Sequence, residues 1–530
     1  MDEKKKIHSF RRLIAYIFHH YPVQITVVVF CIIVSSCASV VSTFFLQRLI
    51  DDCITPGITG GLSSVWSTFT SILCVMAAFY VAGIVCAFLY TRIMAVVTQG
   101  TLRNLRDDMF KHMQKLPIQY FDTNAHGDIM STYTNDTDAI RQLIGQSLPV
   151  LIQSMLTVAV MFVMMLYYSL WLTITVLVIL GIMIAVTKRL GGASSRYMML
   201  QQKSLAKEEG FVEEMMNGQK VVKVFCHEEE SKEAFTALNE QLFINGEKAN
   251  QYGNILMPIL NSIGNIMYVL LAVGGGLLVY FHASNFCLTG VSPITVGIIV
   301  SFLSMARQLS QTIGQASMQI SMIAMGVAGA GRIFQLLDEE IEEDHGYVTL
   351  VHVIKNENGE LKESSVPTGM WAWKHPHREQ GTLTYTELTG DIRMEGVDFS
   401  YVPEKLVLHD ISLFAKPGQK IAFVGATGAG KTTITNLINR FYDIPDGKIR
   451  YDGININKIC KPDLRRSLGV VLQDVNLFTG TVMENIRYGK LDATDEECIA
   501  ASKLANADDF ITRLPDGYDT VLTGNGLSLS

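Results

Sequence analysis

The sequence predicts a helical membrane bundle with six spans, followed by an α/β domain that carries a phosphate-binding loop. The chain has 530 residues, of which only 18% are charged, whereas soluble domains average about 25%. Its mean hydropathy is +0.26, and most of the charge lies in short clusters or after Asp338. A glycine-rich loop, GATGAGKTT at 425–433, lies in this more polar last part. The net charge of −7, without a sustained basic stripe, argues against a nucleic-acid partner.

The predicted transmembrane domain comprises residues 1–337, and its apolar segments approach or exceed the length that a span needs. A helix of about 20 apolar residues crosses the hydrocarbon core of a bilayer. Several segments are apolar on every side, which favours membrane spans over core helices of a soluble protein. The six predicted spans lie near 23–46, 65–97, 148–168, 171–186, 255–281 and 293–318.

The distribution of Lys and Arg predicts which side of the membrane each connection faces. Basic residues cluster before the first span and after the second, whereas the turns at 167–171 and 281–292 contain neither Lys nor Arg. Because basic loops stay on the cytoplasmic side, we expect the N-terminus and the C-terminal domain to be cytoplasmic. The long polar connections at 99–147 and 188–253 keep helix-like apolar spacing, so they are predicted to be helices prolonged into the cytoplasm.

The last predicted span carries a stripe of polar residues. Arg307, Gln311, Gln315 and Gln319 recur every four residues, which places them on one side of a helix. Because a charge or an amide that faces lipid is costly, we interpret Arg307, Gln311 and Gln315 as candidates that line a water-filled pathway. The alternative is that the later two glutamines mark the point where the helix leaves the membrane.

The segment at 420–433 has the order of strand, glycine loop and helix that a phosphate-binding loop requires. Residues 420–425 are expected to form a buried strand, and the spacing after the loop predicts an amphipathic helix. Backbone N–H groups of the loop would surround the β-phosphate of a nucleotide. Lys431 would add a positive charge near the β- and γ-phosphates, and the Thr432 hydroxyl would ligate Mg²⁺. The predicted nucleotide-binding residues of the loop are Gly425, Thr427, Gly428, Ala429, Gly430, Lys431, Thr432 and Thr433.

Further motifs give the chain a resemblance to ABC exporters. Tyr401 lies 24 residues before the loop in the run VDFSY, and Gln473 lies in VVLQDVNLFTGTVMENIRYG at 470–489. MQKLPIQYFDTNAHGDI at 113–129 and EEMMNGQKVVKVFCHEEE at 213–230 are similar to the coupling-helix regions of that family. The match covers nearly the whole chain in the expected order. The chain therefore resembles an exporter half-transporter of the bacterial multidrug or lipid type.

This resemblance implies roles for individual residues. Tyr401 would stack on the adenine ring of ATP, and Gln473 would be a catalytic residue and Mg²⁺ ligand. The coupling regions would lie near 113–129 and 205–225. The chain would bind ATP and Mg²⁺ and would work as a dimer. In that dimer each nucleotide lies between the phosphate loop of one subunit and the signature sequence of the other.

The end of the sequence departs from the family pattern. The predicted ABC nucleotide-binding domain, 392–530, ends at Ser530, where the family's signature sequence begins. Because the Walker B aspartate, catalytic glutamate and switch histidine lie downstream in the family, we expect an incomplete domain whose parent chain continues. Gly524 stands where many exporters have a glutamate. The linker at 338–391 is long and is predicted to contain a β-hairpin around 358–359.

These observations favour one function and leave others open. The favoured function is a subunit of an ATP-hydrolysing ABC exporter that moves an amphipathic or lipid-like small molecule, or several drugs, by alternating access. The alternatives are a non-hydrolysing regulatory subunit of a heterodimer, a peptide exporter of the same fold, and a membrane-anchored phosphate-loop enzyme that transports nothing. The positions of Tyr401 and Gln473 disfavour the last alternative.

The same resemblance predicts the location and the partners of the chain. We expect an integral protein of a bacterial plasma membrane, with membrane lipid and a small-molecule substrate as partners. A second half-transporter subunit is also expected. Gly524 and the long linker favour a heterodimer over a homodimer.

Overall fold

The computed structural model divides the chain into a helical unit and an α/β unit, which are described separately. The helical unit comprises Met1–Leu116 and Tyr120–Ile341, and the α/β unit comprises Pro117–Gln119 and Glu342–Ser530. The structure describes residues 3–60, 62–281, 285–288, 290–357, 359–377, 381–402, 405–472 and 476–523.

Long helices dominate the first part of the chain. Short π-helical turns at Leu49–Ile54, Thr132–Asp136 and Leu143–Ser147 join some of them. A hairpin of β1 (Asn285–Cys287) and β2 (Gly290–Ser292) precedes the last helix. The helices are α1 (Glu3–His20), α2 (Pro22–Arg48), α3 (Thr55–Gly60), α4 (Leu62–Met113), α5 (Ile118–Thr123), α6 (His126–Ser131), α7 (Thr137–Gln142), α8 (Leu148–Tyr168), α9 (Leu170–Asn217), α10 (Gln219–Phe225), α11 (Glu228–Tyr280) and α12 (Val296–Asp338).

The predicted six-span bundle is confirmed for the described residues. Helices α4, α9 and α11 have 52, 48 and 53 residues, which correspond to lengths of about 70–80 Å. The hydrocarbon core is about 30 Å thick, so these helices extend well beyond it. The six segments that are long and apolar enough to cross a membrane are Pro22–Ile58, Val65–Met113, His126–Tyr168, Leu170–Asn217, Glu228–Tyr280 and Val296–Asp338.

Helix α12 contributes to both large cores of the helical unit. One core joins its first half to α2, α8, α9 and α11, and its fully buried members include Val40, Met161, Met267, Phe302 and Ala306. The other core joins its second half to α1, α2, α4 and residues 132–147, which comprise α7 and its two flanking π-helical turns and are called the α7 segment. It includes Leu13, Val97, Leu105, Ile140 and Ile333. One continuous helix therefore connects the two halves of the unit.

The second half of α12 lies unusually close to the chain around α7. A Cβ atom on Gly326 would lie 2.5 Å from Leu143 Cβ and 3.1 Å from the Ala139 carbonyl oxygen. Further along the helix, Arg332 donates through Nε to Asp136 Oδ2 at 2.8 Å, and a second bond joins the same two side chains. Because the Asp136 side chain is 3% exposed, this ion pair fixes α12 against the α7 segment.

The α/β unit begins with a sheet where the sequence predicts a linker. Four antiparallel strands, in the order β4-β3-β5-β6, form this insertion sheet. The predicted hairpin joins the first two strands, where Gly359 adopts a φ of +80°; residue 358 lies outside the described residues. The strands are β3 (Thr349–Lys355), β4 (Leu361–Glu363), β5 (Trp371–His377) and β6 (Thr382–Glu387).

A second four-stranded antiparallel sheet has the order β10-β9-β7-β8. Its strands are β7 (Ile392–Phe399), β8 (Leu408–Ala415), β9 (Asp446–Tyr451) and β10 (Ile454–Asn455). A short two-stranded sheet pairs β11 (Gly480–Thr481) with β12 (Val521–Leu522). The helices of the unit are α13 (Lys431–Ile438), α14 (Lys461–Arg466), α15 (Val482–Arg487), α16 (Asp495–Leu504) and α17 (Asp508–Ile511).

The two four-stranded sheets share one core. Trp373 of β5 is fully buried, and its indole N–H donates to Asp452 Oδ2 at 2.9 Å. The other oxygen of Asp452 accepts hydrogen bonds from the backbone N–H groups of Gly390 and Asp391, each at 2.9 Å. Because both oxygens of one carboxylate are used, the insertion sheet is fixed to the turn between β9 and β10.

The prediction of a buried strand at 420–425 is wrong. Residues 420–426 have no strand conformation and are exposed, and Val424 is 95% exposed. A strand needs neighbouring backbone groups for its hydrogen bonds. In the described part of the chain, the strand pairings of the second sheet join only β7, β8, β9 and β10.

Gly326→Ala should destabilise the helical unit, because the added methyl group meets Leu143 Cβ rather than the end of a flexible side chain. Overpacking of this kind costs about 1–3 kcal/mol. The thermal unfolding midpoint of the detergent-purified protein measures the effect. Gly274→Ala in α11 is the matched control, because a Cβ atom there has nothing within 4 Å. Equal midpoints for the two variants would contradict the close approach.

Candidate nucleotide-binding site

The glycine loop leads directly into α13. Gly428 and Gly430 adopt φ values of +85° and +83°, which non-glycine residues rarely adopt. A Cβ atom on Gly430 would lie 2.6 Å from Leu408 Cδ2, so the loop lies against the start of β8. The Ile434 N–H bonds to the Gly430 carbonyl oxygen at 3.1 Å, and the helix therefore begins at the end of the loop.

Lys431 points its ammonium group back into the loop. Its Nζ atom donates to the carbonyl oxygens of Gly425 and Ala426 at 2.9 and 2.8 Å. Phosphate oxygens form stronger, charge-assisted hydrogen bonds with an ammonium group than neutral carbonyls do. The same cation is therefore positioned to bind a phosphate at the N-terminal end of α13, where exposed N–H groups and the helix dipole also favour an anion.

The two threonines that follow Lys431 have different surroundings. Thr432 is exposed, so its hydroxyl group is available to a metal ion bound with a nucleotide. Thr433 is buried and accepts a hydrogen bond from the Tyr401 hydroxyl group at 3.2 Å. The structure thus brings the predicted aromatic residue to the predicted loop.

Two further aromatic side chains, which the sequence analysis missed, hold Tyr401 on two sides. The Phe399 ring is edge-on to Tyr401, with centroids 4.9 Å apart, and the Tyr442 ring is edge-on with centroids 5.0 Å apart. Phe399 ends β7 and Tyr401 follows two residues later, a strand-like spacing that could have indicated a shared face. No periodic signal points to Tyr442, which follows α13 and reaches Tyr401 only in the folded unit.

A charge network with two buried cations fixes the chain that follows α13. Arg440 is buried, and it donates through Nε to Asp443 Oδ1 at 2.7 Å and through Nη1 to the Ile459 carbonyl oxygen at 3.0 Å. Lys461 Nζ lies 3.2 Å from the other oxygen of Asp443. Burial opposes ionisation of Asp443, but the hydrogen bond and charge of Arg440, with the charge of Lys461, outweigh it and lower the pKa of this carboxyl group.

The structure describes most of the predicted nucleotide-binding residues but not all of the predicted site. The loop residues, from Gly425 through Thr427, Gly428, Ala429 and Gly430 to Lys431, Thr432 and Thr433, form one continuous site with Tyr401. Gln473 and Ser530 lie outside the described residues. Their predicted roles stay predictions.

The polar stripe of the last span lies on the exposed side of α12. Arg307, Gln311 and Gln315 are exposed in the helical unit, and Gln319 is half-buried. The opposite side is buried, and its buried residues include Phe302, Met305, Ala306 and Leu309. One side of this helix packs in the bundle, and the other presents a cation and amides.

Comparison with known proteins identifies the family. The family model for the ABC transporter transmembrane region matches residues 25–313, and a second family model, described as ABC transporter, matches residues 408–529. The solved structure of a bacterial Atm1-family ABC exporter with ATP bound is similar, with a TM-score of 0.69 and 22% identity, over 96% of this chain and 82% of that chain. This likeness shows the fold.

Curated relatives extend the match along the chain. YfiC of Bacillus subtilis, an uncharacterized ABC transporter ATP-binding protein, is 33% identical over 98% of this chain and 78% of its own length. The fatty acid ABC transporter ATP-binding/permease protein of Mycobacterium bovis is 32% identical over 86% of this chain and 66% of its own length. The ATP-dependent lipid A-core flippase of Pseudomonas aeruginosa is 31% identical over 84% of this chain and 66% of its own length. The chain belongs to the ABC transporter family, and its membrane bundle fused to one ATPase region makes it an exporter half-transporter.

Tyr442→Leu should weaken the binding of a fluorescent ATP analogue about two- to tenfold, because an edge-on aromatic pair contributes about 0.5–1.5 kcal/mol. Tyr442→Phe keeps the ring and is the matched control. If Tyr442 acts by positioning Tyr401, then Tyr442→Leu has no further effect in a Tyr401→Ala background. Additive losses in the double variant would contradict this positioning role.

Proposed function

We propose that this chain is one half of an ATP-driven exporter that moves amphipathic or lipid-like small molecules across a bacterial plasma membrane by alternating access. One observation carries the proposal. A single chain joins a six-span bundle, whose last span has an exposed polar side, to a phosphate loop that contacts an aromatic residue. The N-terminus and the α/β unit are cytoplasmic in this proposal, as the positions of the basic residues indicate.

The nucleotide in this proposal is ATP with Mg²⁺. Lys431 and the loop N–H groups bind the phosphates, and Tyr401 stacks on the adenine ring. Thr432 holds the Mg²⁺ ion, which neutralises charge on the β- and γ-phosphate oxygens when it is bound. Gln473 completes the metal site and positions water, a role that rests on the family resemblance alone.

The proposed partner is a second half-transporter subunit. In the family resemblance, the signature sequence that begins at Ser530 binds the nucleotide held by the partner's phosphate loop. A heterodimer is favoured, because Gly524 replaces a glutamate of many exporters and because four strands form a sheet in the linker. The same two features support the second candidate function, a regulatory subunit that binds ATP without hydrolysing it.

The exposed side of α12 fits a substrate with a polar head and an apolar tail. Arg307 offers a cation that pairs with a carboxylate or a phosphate, and Gln311 and Gln315 offer hydrogen bonds without charge. Two relatives are named for fatty acid transport and for lipid A-core flipping. Both substrate classes are amphipathic and carry anionic groups, which supports the same class for this chain.

Lys431→Ala should abolish the ATP-dependent accumulation of radiolabelled oleate in inside-out vesicles from cells that make the full-length protein. The reason is that the variant loses the only side-chain cation of the described phosphate loop. Lys416→Ala, which removes an exposed lysine of the same unit, is the matched control and should transport normally.

Two outcomes separate the parts of the proposal. Normal ATP-dependent accumulation by Lys431→Ala vesicles would refute the role of the loop as the motor. Wild-type vesicles that accumulate neither oleate nor a fluorescent phospholipid with ATP would refute the lipid-like substrate.

A further inference from the structure

Helix α1 has a buried side that fixes it to the bundle. Ser9, Leu13 and Ile17, which are spaced by four residues, are buried. Arg12 donates to Asp338 Oδ2 at 2.6 Å, and its guanidinium group lies 4.4 Å from the centre of the Phe334 ring. These contacts hold α1 against the end of α12.

A tyrosine on α1 makes a second attachment, to α4. The Tyr16 hydroxyl group donates to Asp108 Oδ2 at 2.7 Å. Burial, together with this hydrogen bond, raises the pKa of Tyr16, so the hydroxyl group keeps its proton. Helix α1 is therefore held by two other helices and keeps one orientation.

The outer side of α1 carries two separate stripes. Ile7, Ile14 and Phe18, at spacings of seven and four residues, form an apolar stripe. Ile14 is half-buried, whereas Ile7 and Phe18 are 67% and 50% exposed. The neighbouring cationic stripe, which is exposed, contains Lys4 and Arg11, with His8 and His19 beside them.

Two basic side chains of this stripe have no carboxylate partner among the described residues. In the described residues, Lys4 and Arg11 form no ion pair, whereas Arg12 on the inner side pairs with Asp338. Helix α1 ends at His20 and the first span begins at Pro22. The stripes are therefore held where the first span meets the membrane surface.

We propose that α1 binds anionic phospholipids at this surface, with the apolar stripe among the acyl chains and the cationic stripe on the lipid phosphates. An interfacial helix binds by buried apolar area together with electrostatic attraction to anionic lipid. The charge of the outer side and its continuity with the first span select a lipid surface as the partner. The cytoplasmic leaflet follows from the proposed orientation, but lipid binding itself requires neither ATP nor transport.

The test compares phosphatidylglycerol with phosphatidylcholine as probes. The full chain, purified in a neutral detergent, is titrated with each lipid, and the first binding step is followed by native mass spectrometry. We expect phosphatidylglycerol to bind at least about tenfold more tightly. The double variant Lys4→Gln/Arg11→Gln should lower that affinity by about ten- to thirtyfold and leave phosphatidylcholine binding unchanged, because each basic residue near an anionic surface contributes a factor of about five.

Matched variants keep the test decisive. Lys207→Gln/Lys220→Gln removes the same charge from exposed positions on α9 and α10, and it should keep the lipid preference. The double variant Ile7→Ser/Phe18→Ser should weaken the binding of both lipids, while the ratio of their affinities stays the same. The proposal is overturned if the Lys4/Arg11 variant keeps the wild-type preference, or if the control variant loses it equally. Neither result would affect the proposed exporter function.

Discussion

The helical unit depends on one constraint, which is that α12 must bury an apolar side and present a polar side. An arginine side chain that faces lipid is costly, so Arg307 and the two glutamines that follow it restrict how the helix turns in the bundle. Its apolar side, with Phe302 and Ala306 fully buried, packs among the neighbouring spans. Further along the helix, Gly326 lets the backbone approach the α7 segment. One helix therefore packs in both cores, and its polar side stays exposed.

In the α/β unit, contacts at both ends hold α13 in place, and the phosphate-binding residues lie at its beginning. The ion network around Arg440 holds the end of α13, and Gly430 lies against Leu408 at its beginning. Between these two attachments, Lys431 and Thr432 occupy the first turn of the helix. The small residues of the loop leave room for a phosphate, and these two attachments hold the helix that follows the loop in place.

The sequence predicted the membrane fold well because the signal is local. Apolar length alone identifies each span, although helix ends are harder to predict: the fifth span, expected at 255–281, belongs to a helix that extends over Glu228–Tyr280. Strands depend on distant partners, which explains two failures. The insertion sheet needs the pairing of β3 with β5, which β4 and its flanking loops separate along the chain. Residues 420–425 have a strand-like sequence but no strand partner in the described part of the unit. Tyr442 was missed for the same reason, because its contact with Tyr401 exists only after folding.

The central claim is that the polar side of α12 faces water within the membrane, and cysteine reactivity tests it most directly. In a chain whose nine native cysteines are replaced by alanine, single cysteines would be placed at Arg307, Gln311 and Gln315. Phe88 of α4, which is exposed and apolar, provides the lipid-facing comparison. The account predicts that a charged methanethiosulfonate reagent modifies the three α12 positions and spares Phe88→Cys. If the three positions are as unreactive as Phe88→Cys, the account is contradicted.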